Sequence, residues 1–344
     1  MFKHNRKTTR TFYIGLSSRW RWFSFWLLAA PLLFLPVLVE ASPLPSEKPY
    51  LLPYVGEMQT HKTRYEDTLV QIARDHDLGF NELRAANPGV DPWLPGKGVK
   101  LTLPTRHLLP RAPHEGIVIN LPEMRLFYYE NPYRAPITHP LGVGREGLST
   151  PSGTTTVIRK QEKPDWRPTA RMRTDNPDLP SVVPPGTANP LGTHILYLGW
   201  PEYGIHGTNK PFGIGRRVSS GCIRLYPEDI KTFFEQVPVG TKVRVVNQPV
   251  KAAWIDDAFY IEAHPTLDQA DDVEQNGGPP DYVFTQDEMN AVLEAAGPDA
   301  VDRLDWAAVR DVIRARAGYP VKVAVKKQEK SDNAAQEKRG ENAL

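Results

Sequence analysis

One cysteine, Cys222, stands in a chain of 344 residues. A lone thiol excludes an intrachain disulfide, so no covalent staple holds the fold. Charge of one sign is also lacking, since the formal balance is only +2. Residues 1–41 hold Lys3, Arg6, Lys7, Arg10, Arg19 and Arg21 against Glu40 alone. The remainder is therefore acidic by about three charges, which argues against nucleic acid as a partner. The histidines, among them His107, His114, His194 and His264, show no metal-ligand spacing such as HExxH, so no metal and no cofactor are expected. Proline, by contrast, is abundant: 34 residues, about twice the usual share, point to long, stiffened loops. A hydrophobic content of 40% is ordinary for globular domains, and the length suits about two or three of them.

The longest apolar run, FWLLAAPLLFLPVLV, is short for a membrane span and is interrupted by Pro31 and Pro36. It follows a basic start and precedes Val39-Glu40-Ala41, so residues 1–41 read as an export signal. Membrane contact is expected only if that signal stays uncleaved. No cysteine stands directly after the run, which excludes lipid attachment through a cysteine there. Residues 42–56 form a Pro-rich, extended linker.

A small unit spans 57–105. Leu69, Ile72, Ala73 and His76 recur at helical spacing after Asp67-Thr68, and Asn81-Glu82-Leu83 opens a second short helix that Asn87-Pro88-Gly89 ends. Val99, Leu101 and Leu103 alternate as a strand, which completes a βααβ unit. Its Asp-Thr-Leu, Ile-Ala, Asn-Pro and closing Leu-x-Pro resemble a LysM module, with Glu66 where that family usually has glycine. The resemblance implies binding of the N-acetylglucosamine backbone of peptidoglycan or chitin; a spacer without ligand is the alternative.

From 112 to 247 short alternating segments dominate: Ile117 to Leu121, Met124 to Tyr128, Leu141 to Gly144, Thr154 to Ile158, Ile195 to Leu198 and Lys242 to Val246. One helix is expected after Pro227, with Ile230, Phe233, Phe234 and Val237 on its apolar side. So much strand with so little helix predicts a β-sandwich or partly open barrel. The Pro-rich stretch 159–191 is either a substrate wall or a surface loop. Beyond it, 248–325 is expected to hold one strand over 254–261, an acidic linker over 268–280, and two helices. The first follows the capping box Thr285–Glu288 and the second carries Trp306, Val309 and Ile313. Residues 326–344 are a charged tail expected to be disordered.

The chemistry concentrates in HGTNKPFGIGRRVSSGC, residues 206–222. A thiol attacks as thiolate and so requires a base or a positive field. His206 is the candidate base, and the Gly207 carbonyl is placed to set its tautomer. If 219–225 is extended, Ser220, Cys222 and Arg224 share a face. Arg224 then stabilises the thiolate or anchors a carboxylate. The amides of Gly221 and Cys222 are candidates for an oxyanion hole. Read without the string, the pair is a buried small hydrophobe and a hydrogen-bonded loop histidine.

The string itself, with Thr150-Pro151-Ser152-Gly153, Pro164-Asp165-Trp166 and Asn189-Pro190-Leu191-Gly192, resembles the L,D-transpeptidase catalytic domain of YkuD type (the ErfK/YbiS/YcfS/YnhG group) over roughly 113–247. Ser220 stands where many members carry a second histidine, which leaves His206 the sole candidate base. The resemblance implies that Cys222 attacks the bond between diaminopimelate and D-alanine in a peptidoglycan tetrapeptide. The donor then passes to a diaminopimelate amine or to a lysine of an outer-membrane lipoprotein, with Ser219 supporting the loop. It further implies a periplasmic enzyme of a Gram-negative bacterium that is sensitive to carbapenems. Competing readings are an L,D-carboxypeptidase or amidase with water as acceptor, and a non-catalytic wall-binding protein. A papain-like protease is disfavoured, because its cysteine precedes its histidine.

Overall fold

The computed structural model describes residues 49–278 and 284–325. The expected export signal, the start of the linker and the charged tail lie outside the described residues. The first elements are β1 (Tyr54–Gly56), β2 (Gln59–Lys62), α1 (Leu69–Asp75), α2 (Phe80–Ala85), β3 (Lys100–Leu103) and β4 (Arg106–Leu108). Strands β2 and β3 pair antiparallel around the two helices, and Leu69, Ile72, Ala73, Leu83, Leu101 and Leu103 form their core. The Thr68 hydroxyl accepts from Gln71 N–H and starts α1. His76 does not extend the apolar stripe; it is the C-cap of α1. The Pro-rich stretch also departs from expectation at its end, because β1 pairs antiparallel with β4.

The central domain comprises β5 (Gly116–Asn120), β6 (Arg125–Tyr129), β7 (Ile137–Pro140), β8 (Val143–Gly144), β9 (Gly153–Glu162), α3 (Ala170–Asp175), β10 (His194–Leu198), β11 (Gly204–His206), β12 (Arg217–Ser219), β13 (Ile223–Arg224), α4 (Asp229–Gln236) and β14 (Lys242–Val246). Eight of these strands form one mixed sheet in the order β13-β11-β10-β9-β14-β5-β6-β7. Its two ends approach each other. Gly142, just after β7, exchanges both backbone hydrogen bonds with Arg224 of β13, at 2.9 and 2.8 Å. The sheet thus curls into a partly open barrel around α4. Ile119, Leu126, Leu196, Ile205, Ile223, Ile230 and Phe233 fill one cluster inside it. Val118, Phe127 and Tyr129 point the other way, into a second cluster with Leu109. Strands covered on both faces read as continuous apolar runs, as β5 and β6 do.

The C-terminal part holds β15 (Val250–Ile255), β16 (Ala258–Ala263), α5 (Leu267–Asn276), α6 (Gln286–Ala296), α7 (Trp306–Ala315) and β17 (Val321–Val325). Two expectations are corrected here. The single strand expected over 254–261 is a hairpin, β15 and β16, turning at Asp256 with φ +51°. The acidic linker over 268–280 is instead helix α5 through Asn276. Thr266 and Gln269 form its capping box, Ala270 and Val273 are buried, and two of its four acids are paired: Asp271 with Arg217 and Glu274 with Arg216. Acidic composition suggested solvation, whereas the partners lie more than fifty residues earlier.

Buried charges join the three parts. Lys251 Nζ lies 2.8 Å from both Glu123 and Glu262 and donates to Leu108 O at 2.6 Å. Arg125 reaches Glu82 of α2 at 2.9 Å, and within the C-terminal part Arg316 reaches Glu288 at 2.7 Å. Burial alone would raise the pKa of Glu123, but Lys251 beside it holds the carboxyl well below the usual range.

Candidate active site

Register assembles the site. Strands β11 and β13 run parallel, with Ile205 opposite Ile223 and His206 opposite Arg224. The two isoleucines enter the core, so His206 and Arg224 share the other face. Slipping either strand by one residue would send its polar side chain into the core. Cys222 stands immediately before β13. It joins His206, Ser219, Ser220 and Arg224 in lining a cavity of about 400 Å³.

His206 is only 3% exposed. Its Nδ1 lies 2.6 Å from Gly207 O. A carbonyl only accepts, so Nδ1 carries the proton and Nε2 is left with its lone pair. Burial, then the nearby Arg224 guanidinium, lower the imidazole pKa to about 4, and the Gly207 carbonyl opposes them. The ring is thus neutral at physiological pH. Cys222 is half-buried; its thiol donates to Glu202 O at 3.3 Å. Burial pushes the thiol pKa up, against a hydrogen bond from Gly204 N–H and the charge of Arg224. The resting pair is therefore an uncharged thiol and an uncharged imidazole.

The turn before Cys222 is tied from both sides. The buried Ser219 hydroxyl donates to Cys222 O and accepts from Gly221 N–H at 3.1 Å. Thr150 Oγ1 donates to Gly221 O at 2.8 Å and accepts from Gly144 N–H at 3.2 Å. Gly221 adopts φ +110°, and a Cβ there would meet Tyr203 Cε1 at 2.8 Å. This corrects two expectations. Residues 219–225 are not one extended segment, because β12 pairs with β8 and β13 with β11, with the chain turning at Gly221 between them. The Gly221 amide is spent on Ser219 and does not serve an oxyanion; the Cys222 amide is the remaining candidate of the two. Ser220 still lines the cavity, although not from the strand of Cys222.

The Pro-rich stretch 159–191 forms the opposite wall, through Trp166, Met172, Asn176, Leu179, Pro190 and Leu191. Arg145 and Lys210 add to Arg224, against Asp175, to leave the cavity basic. Arg224 itself has no carboxylate partner among the described residues. Sequence reasoning assigned no role to Thr150, Glu202 or Tyr203. Thr150 opens the Thr-Pro-Ser-Gly motif, and that was its signal; for Glu202 and Tyr203 local pattern offered none.

A partly open barrel thus brings a cysteine, a tautomer-fixed histidine and an arginine into one cavity. Residues 114–245 match the family model described as the YkuD L,D-transpeptidase catalytic domain. The Escherichia coli (strain K12) protein named probable L,D-transpeptidase YcfS is 40% identical, covering 88% of this chain and 94% of its own length. The probable L,D-transpeptidase YbiS of the same strain is 40% identical over 82% and 91%. Probable L,D-transpeptidase ErfK/SrfK, again of that strain, is 41% identical over 67% and 76%. The chain belongs to the L,D-transpeptidase family and is an L,D-transpeptidase enzyme.

Proposed function

We propose that this enzyme acts on peptidoglycan through a thioester on Cys222. The observation that supports this most directly is Arg224: a guanidinium without a carboxylate partner among the described residues, beside a neutral His206 and a half-buried thiol. A tetrapeptide stem offers what such a site lacks, a carboxylate for Arg224 and an amide carbonyl for the sulfur.

As the sulfur attacks the carbonyl between the L-centre of diaminopimelate and D-alanine, Nε2 of His206 takes the thiol proton. The C–S bond forms, and the carbonyl electron pair moves onto oxygen, towards the Cys222 amide. Collapse breaks the C–N bond. The Nε2 proton passes to the departing nitrogen, and D-alanine leaves. The acceptor amine, from a diaminopimelate side chain or a lipoprotein lysine, then attacks the thioester and gives its proton to Nε2. The thiol is restored as that proton returns. Because the resting pair is neutral, thiolate develops only during attack; Arg224 favours it and disfavours a premature imidazolium.

In this reading the 57–105 unit is a LysM module that holds a glycan strand. Exposed Tyr65 and Trp93 support it, since sugar rings stack on aromatic faces. Export over 1–41 and a periplasmic site of action complete the proposal.

The test incubates the protein with disaccharide-tetrapeptide, or with a carbapenem, and measures intact mass. An increment on the wild type that is absent from Cys222→Ser is expected. No increment at Cys222 with either reagent refutes the thioester. Adding a lipoprotein C-terminal peptide reads the acceptor: cross-linked dimers, lipopeptide adducts or tripeptides identify diaminopimelate, lysine or water.

A further inference from the structure

Among the described residues, two groupings of histidine and carboxylate lie outside the catalytic cavity, one fully buried and one open to solvent at Asp77. One, His107 with Glu123 and Glu262, already surrounds the Lys251 ammonium, which sits 2.8 Å from each carboxylate. The other holds no lysine or arginine cation of that kind; burial lowers the pKa of His139, but Asp229 and Asp77 beside it raise it to about 9, so a metal ion there would displace the imidazole's own proton. Asp77 lies in the turn between α1 and α2, His139 on β7, and Asp229 at the start of α4. One ligand atom from each lies within 4.8 Å of the others.

His139 is 8% exposed, and neither ring nitrogen has a hydrogen-bond partner; Asp229 Oδ2 is likewise buried and unpartnered. Nδ1 stands 3.5 Å from Asp229 Oδ1 and 3.9 Å from Asp77 Oδ1. These separations are too long for good hydrogen bonds. They suit atoms around a common centre, because zinc bonds of about 2.0–2.2 Å in a tetrahedron separate neighbouring ligands by roughly 3.3–3.6 Å.

The surroundings hold the three groups in place. Arg125 Nη2 donates to Asp77 O at 2.9 Å and so fixes a residue with φ +54°. Arg74 of α1 clasps Glu228, next to Asp229, through bonds of 2.7 and 2.8 Å. The Tyr226 hydroxyl donates to Leu78 O at 3.1 Å, and the Phe233 ring meets the His139 ring edge-on.

We infer that Asp77, His139 and Asp229 bind one divalent transition-metal ion of zinc type, which fastens the 57–105 unit to the catalytic domain. Two carboxylates neutralise the ion's charge, and an imidazole nitrogen satisfies its preference for a softer donor. The exposed side of Asp77 leaves room for a water ligand. Binding releases any proton the imidazole carries to solvent. None of the three residues lines the cavity of Cys222, so the ion takes no part in acyl transfer.

The test uses the chain with Cys222→Ser, which removes the thiol as a competing ligand, and titrates it with zinc alone by calorimetry and thermal unfolding. One ion per chain and a raised unfolding midpoint are expected. Asp77→Asn in the same background preserves shape, and asparagine tolerates positive φ. It should weaken zinc binding at least tenfold and abolish the midpoint shift. No stoichiometric binding by Cys222→Ser, or equal binding after Asp77→Asn, overturns the inference and leaves the three groups as an ion pair only.

Discussion

The buried imidazole of His206 makes the stability of this enzyme sensitive to acid in a calculable window. An unfolded chain protonates the ring below its ordinary value of 6.5, whereas the folded site resists until about 4. Between those limits the unfolded state binds more protons, so stability rises with pH there and is lost as pH falls. The contribution is fully present above about 6.5 and gone near 4, and the gap corresponds to about 3 kcal/mol for a fully buried ring. His206→Gln removes the titration while keeping a side chain able to donate to Gly207 O. Urea unfolding of both proteins at a series of pH values gives the assay. The difference in unfolding free energy should grow by about 3 kcal/mol from pH 4 to 6.5, whatever its offset. Parallel curves would refute the argument, because they would mean that the ring titrates alike in both states. The same reasoning sets the acid limb of kcat/KM near 4 rather than at 6.5.

Other substitutions probe the supports of the site. Ser219→Ala strands the Gly221 amide and the Cys222 carbonyl, and should cost about 1–3 kcal/mol in denaturant unfolding, together with a fall in kcat. Gly221→Ala meets Tyr203 and an unfavourable φ; a loss of about 1–2 kcal/mol and of acyl-enzyme formation by mass spectrometry is expected, and Tyr203→Ala should relieve part of it. Lys251→Ala leaves Glu123 and Glu262 buried without their cation and should lower stability by about 3–5 kcal/mol, with Lys251→Arg retaining more of it.

Strong local periodicity makes several elements legible from the chain alone. Alternation at Ile117–Leu121 and at Lys242–Val246, and the apolar stripe from Ile230 to Phe233, correspond to β5, β14 and α4. Where local pattern misleads, the deciding partner is distant. Helix α5 looks like a linker because acids ordinarily favour water, yet Arg216 and Arg217 receive two of its four. Strand β1 looks like free linker because nothing nearby shows that β4 will cover it. The turn at Gly221 interrupts what alternation suggests is one strand, because Ser219 and Thr150 together close it.

The sequence by itself marked the segment that resembles a known catalytic domain. A lone cysteine sixteen residues after a histidine reads on its own as a buried small hydrophobe and a loop residue; the surrounding string, from His-Gly-Thr-Asn to Ser-Ser-Gly-Cys, makes them the candidate nucleophile and base. Folding decided how those groups behave. The parallel register that sets His206 beside Arg224, the burial that keeps imidazole and thiol uncharged, and the gathering of Asp77, His139 and Asp229 from three elements all depend on contacts between residues far apart in the chain. Local pattern reports only what neighbours along the backbone prefer; a proton's affinity for a ring depends on everything packed around it.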